Sequence, residues 1–96
     1  MATRNVVWKY EVSIGGRFDI DMPAGARILT LQLQFGKPVI WAAVDPSKPK
    51  VRRTFGLVGT GAEVDFELPD YIGTFQLFDG RTVIHMFEVP AEARTS

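Results

Sequence analysis

The only histidine of the chain, His85, is the side chain best suited to proton transfer, and a predicted β-hairpin places it beside two polar neighbours. Asp79-Gly80 separates two runs of alternating apolar residues. This dipeptide favours a two-residue type I′ turn, because both central positions of that turn need positive φ. The resulting register predicts Thr74 opposite His85, with Gln76 two residues away on the same face.

The two faces of this hairpin differ in chemistry. The face that we expect to be exposed carries Ile72, Thr74, Gln76, Val83, His85 and Phe87, and the face that we expect to be core carries Tyr71, Gly73, Phe75, Leu77, Ile84 and Met86. The exposed face has two interpretations. Apolar walls with a few hydrogen-bonding groups are typical of a ligand surface, whereas a Thr–His hydrogen bond on a half-solvated sheet is purely structural.

Catalysis by His85 would need groups that the sequence does not supply in a recognisable pattern. A hydrolytic triad requires an orienting carboxylate and an oxyanion hole, and the chain has no Gly-x-Ser-x-Gly motif. One histidine cannot form a multi-histidine metal site, and without cysteine there is no thiolate ligand or nucleophile. We therefore expect a protein that is not an enzyme and has no metal or cofactor.

A second hairpin brings a tryptophan close to two glutamines. The strand 28–35 alternates cleanly, Gly36-Lys37 is the predicted turn, and 39–44 is a wholly apolar strand that we expect to be buried on both faces. In this register Gln34 faces Val39 and Gln32 faces Trp41. Trp41 then either packs in the core or belongs to a binding surface with the glutamines.

Basic and glycine-rich residues offer a separate anion-binding hypothesis. Arg53 shares a strand face with Phe55, on which it could stack. Gly59-Thr60-Gly61 could approach a phosphate, or could be a turn that needs positive φ. A nucleotide-like ligand would be bound by Arg53, Gly59, Thr60, Gly61 and His85. We read Asp19 and Asp21 as an exposed strand face that resists edge pairing.

The spacing of strands and turns predicts an all-β fold. Seven or eight short antiparallel strands indicate a compact β-sandwich or small barrel. A short sixth strand over 63–68 would bring the number to eight, with the terminal hairpin as the last two. We expect Trp8 and Phe18 in the core, a single domain over 5–89, and flexible termini at 1–4 and 90–96. Open sheet edges and the apolar strand 39–44 predict a homodimer or larger assembly.

Composition narrows the partner and the compartment of this 96-residue chain. Eleven basic and 11 acidic residues cancel, which disfavours nucleic acid as a partner because phosphate neutralisation normally needs a basic excess. No apolar segment is long enough for a membrane span or a signal-peptide core. Together with the lack of cysteine, this leads us to expect a cytoplasmic protein without membrane contact.

Several stretches resemble a group of short, mostly uncharacterised proteins encoded by bacteriophages and prophages. The similar pieces are Trp8–Val12, Met22–Leu29, Gly36–Pro46, Arg53–Phe55, Gly59–Gly61, Tyr71–Gln76 and His85–Glu88. They follow one another in a fairly specific order over residues 8 to 88. The resemblance implies a phage or prophage accessory gene whose product works in the host cytoplasm. It implies no particular mechanism.

The sequence thus predicts a non-enzymatic binding protein that acts on a host or phage protein. An inhibitor of a host defence system, CRISPR included, is a concrete role that fits this setting. The alternatives are a protein that sequesters a small anionic, nucleotide-like ligand, and a minor structural component of the virion. The candidate binding residues are Gln32, Gln34, Trp41, Arg53, Phe55, Gly59, Thr60, Gly61, Thr74, Gln76 and His85.

Overall fold

The structure, a computed structural model, describes residues 5–65, 67–68 and 70–90, so the termini expected to be flexible at 1–4 and 90–96 lie outside it, except for Pro90. Its described residues form seven strands and no helix. The strands are β1 (Val6–Glu11), β2 (Arg17–Pro23), β3 (Arg27–Gln34), β4 (Lys37–Val44), β5 (Lys50–Gly59), β6 (Asp70–Leu77) and β7 (Thr82–Val89). Within these ranges there is no helical segment that could cross a bilayer.

The strands form two sheets, which makes the fold a sandwich and not a barrel. One sheet has three strands in the order β1-β4-β3, and the other has four in the order β2-β5-β7-β6. Every strand pair is antiparallel. The all-β prediction is therefore confirmed. The wholly apolar segment 39–44 forms most of β4, the central strand of the three-stranded sheet, where Trp41 and Ala43 are only half-buried on the outer face.

The core lies between the inner faces of the two sheets. Alternate residues of each strand point inward, and the fully buried side chains include Ile40 from the three-stranded sheet and Phe55, Met22 and Met86 from the four-stranded sheet. Phe18 stacks on Phe55 with ring centroids 5.7 Å apart, so it packs at the core as expected.

Two sequence predictions about packing are wrong. Trp8 is 37% exposed, because it lies on β1, an edge strand with a sheet neighbour on one side only among the described residues. The strand expected over 63–68 is absent from the described part of that segment. Its apolar residues Val64 and Leu68 stay exposed, so the apolar and acidic alternation there has no sheet against which to pack.

Candidate functional site

The hairpin of β6 and β7 positions the central histidine. Thr74 pairs with His85, which confirms the predicted register. Asp79 and Gly80 have φ of 56° and 86°, and the amide of Arg81 donates to the carbonyl of Phe78 at 3.1 Å. Phe78 also has φ of 53°, and the amide of Gly80 donates to the carbonyl of Leu77 at 3.1 Å, so the left-handed turn begins one residue before the predicted Asp79-Gly80 pair.

A β-bulge changes which aromatic residue joins the exposed face. The pairing shifts between Tyr71 and Gly73, so Tyr71 and not Ile72 lies opposite Phe87. Ile72 packs against the core instead. Tyr71, which the sequence placed in the core, is 60% exposed, and its ring meets that of Phe87 edge to face at a centroid distance of 5.6 Å. The extra residue of a bulge reverses the alternation beyond it, which explains both errors.

Four side chains form a continuous hydrogen-bonded chain on this face. Thr60 Oγ1 lies 2.8 Å from Nε2 of His85, and His85 Nδ1 lies 2.9 Å from Oγ1 of Thr74. Thr74 Oγ1 in turn lies 2.6 Å from the hydroxyl of Tyr71. A neutral imidazole donates from one ring nitrogen and accepts at the other, and a hydroxyl can do either. The chain therefore satisfies both ring nitrogens and fixes the orientation of the imidazole.

The contacts of His85 differ from those of a triad-type general base in the group that orients the ring. Both ring nitrogens of His85 contact threonine hydroxyls, whereas a general base of the triad type is oriented by a carboxylate and keeps the other nitrogen for the nucleophile. Among the described residues, no group of three or more His, Cys, Asp or Glu side chains could hold a metal ion.

The glycine-rich segment supplies one member of this chain. Gly59 ends β5, Gly61 has φ of 85°, and the amide of Ala62 donates to the carbonyl of Gly59 at 3.0 Å. This geometry fits the turn interpretation of the glycines. The amide of Thr60 also donates to the carbonyl of Val83 at 3.1 Å, which holds Thr60 beside His85. The sequence placed Thr60 and His85 in one ligand set but not as hydrogen-bonding partners.

A groove connects the histidine face with the other sheet. Residues 31–33 of β3 and 74–76 of β6 line an open groove of about 250 Å³, so Gln32, Thr74 and Gln76 are neighbours there. The two strands approach closely at Gly73, where an added Cβ would lie 3.1 Å from Cβ of Leu31. Three candidate residues that are distant in sequence are therefore brought together at the side of the sandwich.

Gln34 and Trp41 lie on the outer face of the three-stranded sheet. The register of their hairpin differs from the predicted one. The turn is Phe35-Gly36, with φ of 51° and 77°, and not Gly36-Lys37. Trp41 consequently lies opposite Thr30, and Gln32 lies opposite Val39, so each residue's partner is displaced by two residues from the predicted one. The prediction that Trp41 shares a face with the glutamines is nevertheless correct, because a shift of two residues preserves side-chain alternation.

Polar contacts cover this outer face. Gln34 Oε1 accepts a hydrogen bond of 2.8 Å from Nζ of Lys9, which reaches across β4 from β1. Gln32 Nε2 donates to Oγ1 of Thr30 at 3.0 Å. Trp41 is half-buried among these side chains and lies outside the main core cluster, so it is a surface tryptophan.

Arg53 and Phe55 do not join the site. Phe55 is fully buried. Arg53 donates to both carboxylate oxygens of Glu88, at 2.8 and 2.7 Å, and to the carbonyl of Ala26 at 2.6 Å. The hydrogen bond to Glu88 raises the pKa of Arg53 above its ordinary value, against the effect of burial.

The proposed anion-binding set is divided by this geometry. Val58 of β5 pairs with His85, and Arg53 lies five residues earlier on β5, about 16 Å away at the usual rise of a strand. An odd spacing also places Arg53 on the opposite face of the sheet. Arg53 therefore cannot act on the same small ligand as Thr60 and His85.

The aspartates of β2 have partners on the neighbouring strand. Asp19 accepts a hydrogen bond of 2.6 Å from Oγ1 of Thr54. The Nε of Arg52 lies 3.9 Å from a carboxylate oxygen of Asp19 and 3.9 Å from one of Asp21. Both aspartates lie on the edge strand β2, where charged side chains disfavour pairing with another strand.

Comparison with known protein families identifies the chain. It belongs to the DUF7352 family, a domain of unknown function, whose profile matches residues 3–96. Comparison with curated proteins and with solved structures gave no match.

Proposed function

We propose that this member of the DUF7352 family is a non-catalytic binding module that recognises another protein. The observation that carries the proposal is the Thr60–His85–Thr74–Tyr71 chain of hydrogen bonds. It orders a polar, aromatic-containing surface before any partner arrives. A surface that is already ordered loses little conformational entropy on binding.

The composition of this surface favours a protein over other partners. Tyrosine is enriched at protein interfaces because it combines a large apolar ring with a hydroxyl. Tyr71 presents both, beside Phe87 and the groove with its glutamines. Nucleic acid would call for a cluster of cations here, and Arg53 is bonded to Glu88 instead.

A small anionic ligand fits less well. Pockets for such molecules usually measure about 300–1,000 Å³ and enclose most of the ligand, whereas the groove beside Thr74 is open and of about 250 Å³. The separation of Arg53 from His85 also removes the only arginine of the proposed nucleotide-binding set.

The resemblance to phage and prophage proteins adds a biological setting to the proposal. In that setting the partner is a host protein in the bacterial cytoplasm, and the function is inhibition of a host defence system, with CRISPR the first to test. A minor virion component is the alternative, and would be found in purified particles.

Phage plating on bacteria with active CRISPR immunity tests this function. Expression of the protein should restore plating of a targeted phage, and Thr74→Val should lose the effect, because valine keeps the strand-forming shape but breaks two hydrogen bonds. Asp21→Ala, on the far edge strand, is the matched control and should act like wild type. Unchanged plating with wild-type protein would contradict the defence function.

Binding itself is tested with tagged protein and host lysate. A captured protein is identified by mass spectrometry, purified, and titrated calorimetrically against the variants. We expect Thr74→Val and Tyr71→Ala to weaken binding by about tenfold or more, equivalent to about 1.4 kcal/mol. Equal affinity of Thr74→Val and wild type would place the binding surface elsewhere.

A further inference from the structure

Among the described residues, the outer edge of β1 has fewer of the features that prevent strand pairing than the other three sheet edges have. Natural proteins protect edges with inward or edge-facing charges, prolines, bulges or a covering segment. β2 carries Asp19 and Asp21 and ends at Pro23. β3 and β6 each contain a register shift, and their outer edges face each other across one groove.

β1 is regular and apolar by comparison. It pairs with β4 over six consecutive residues without a register shift. Val6, Val7 and Trp8 are 41%, 57% and 37% exposed. The one lysine of β1, Lys9, donates to Gln34 two strands away. The lysine charge therefore lies over the outer face of the sheet and not along the strand edge.

The hydrogen-bond pattern shows which backbone groups this edge presents. The amide of Val12 donates to the carbonyl of Pro38, in line with the register that pairs Glu11 with Val39. In an antiparallel ladder, hydrogen-bonded and non-hydrogen-bonded pairs alternate. The even-numbered residues of β1 therefore bond to β4, and the amide and carbonyl groups of Val7, Lys9 and Glu11 face outward.

We propose that β1 pairs antiparallel with β1 of a second copy of this chain, which joins two three-stranded sheets into one six-stranded sheet. The outward groups of Val7 bond to those of Lys9 of the second copy. Trp8 lies at the two-fold axis against Trp8 of the second copy. This proposal is independent of the binding function assigned to the His85 surface.

Charge and overlap favour this register over those that centre on Lys9 or Tyr10. A shift that puts Lys9 at the axis would oppose two lysines, which is unfavourable in cross-strand pairs. A shift that puts Tyr10 at the axis would leave Val6 beyond the paired region. With Trp8 at the axis, residues 5 to 11 of both copies overlap completely, and all three exposed apolar residues of β1 lie within the paired region.

The oligomeric state of the full chain tests the proposal. Sedimentation at increasing concentration should give a mass rising from 10.7 kDa toward twice that value. Val7→Pro should keep the mass at 10.7 kDa, because proline removes only an outward amide and no β1–β4 hydrogen bond. Val7→Lys adds an edge charge and should act the same way if the proline variant folds poorly.

Leu29→Lys is the matched control, since Leu29 is an exposed apolar residue of the same sheet away from β1. It should dimerise like wild type. A wild-type mass that stays at 10.7 kDa at high micromolar concentration, or dimerisation of Val7→Lys equal to wild type, would overturn the proposal.

Cysteine cross-linking tests the register, and the chain has no cysteine of its own to interfere. Residues of a non-hydrogen-bonded antiparallel pair have Cα atoms about 4.5 Å apart, within the range that a disulfide spans. Trp8→Cys should therefore form a disulfide-linked dimer on mild oxidation, and Val6→Cys should not. Cross-linking through Lys9→Cys but not Trp8→Cys would overturn the register and with it the proposal.

Discussion

Single residues at the hairpin turns adopt conformations that their side chains disfavour. Phe35 has φ of 51° and is 95% exposed at the turn between β3 and β4. Phe78 has φ of 53° and is 72% exposed at the start of the other turn. Bulky residues rarely adopt positive φ, whereas asparagine and glycine do so readily. The turn at Phe35 consequently gives no recognisable sequence signal, which is why the predicted turn was displaced by one residue.

Phe35→Asn should stabilise the fold by about 1 kcal/mol, because asparagine tolerates the left-handed conformation and the phenylalanine ring contributes little burial. Phe35→Val removes the ring as well but should lower stability, because a β-branched side chain resists positive φ. Urea unfolding of both variants measures the difference. Equal stability of the two variants would show that backbone strain at this residue is negligible.

The hydroxyl of Tyr10 is buried in the protein. It has no hydrogen-bond partner among the described residues, and burial raises its pKa. The folded state therefore favours the neutral phenol over the phenolate. The stability that depends on the neutral phenol is fully present below the pKa of the unfolded chain and is lost as pH rises through the raised pKa. Tyr10→Phe should stabilise the protein by about 1 kcal/mol, since it removes an unsatisfied polar group, and should reduce the loss of stability above about pH 10.

Thermal unfolding between neutral and alkaline pH tests this expectation. Tyr71→Phe is the matched control, because Tyr71 is exposed, and it should retain the alkaline loss. An alkaline loss in Tyr10→Phe as large as in wild type would contradict the interpretation.

Strand alternation predicted the elements well, and irregularities within the elements were not visible in the sequence. The Asp79-Gly80 turn set the register that pairs Thr74 with His85, because its dihedral angles have a direct residue preference. The bulge at Ile72 has no comparable local signature. The bulge depends on the packing of Ile72 against the core and on the close approach of β3 to β6, and both are tertiary effects. Tyr71 could therefore not be recognised as a site residue.

Gly73→Ala tests the close approach of β3 and β6. An added Cβ would lie 3.1 Å and 3.2 Å from the Cβ and Cδ2 atoms of Leu31, so the strands must separate. We expect a loss of about 1–3 kcal/mol, as for other overpacked sites. Gly59→Ala is the control, because its added Cβ would meet nothing within 4 Å. Equal effects of the two substitutions in urea unfolding would show that the β3–β6 contact is not tight.

Arg53 joins parts of the chain that are distant in sequence. It connects β5 to Glu88 of β7 and to the carbonyl of Ala26 in the turn that leads to β3. The sequence correctly placed Arg53 and Phe55 on one strand face. It could not show that this is the inner face, where the arginine meets a carboxylate before it could meet a ligand.

Arg53→Glu should therefore destabilise the fold, because it places a carboxylate against Glu88. The Arg53 and Glu88 side chains are 21% and 25% exposed, so we expect a loss of about 2 kcal/mol, less than for a fully buried pair. The exchanged pair Arg53→Glu/Glu88→Arg should recover part of it in urea unfolding. Wild-type stability of Arg53→Glu would indicate that the ion pair is dispensable.

The strand order of the larger sheet also has a consequence for how the protein is made. β7 is the last of the described strands in sequence, yet it lies between β5 and β6 and pairs with both. While the chain is being synthesised, β5 and β6 have no common neighbour until residues 82–89 have left the ribosome. The nascent chain thus carries two unpaired strand edges until residues 82–89 are available, when insertion of one strand between them closes the sheet.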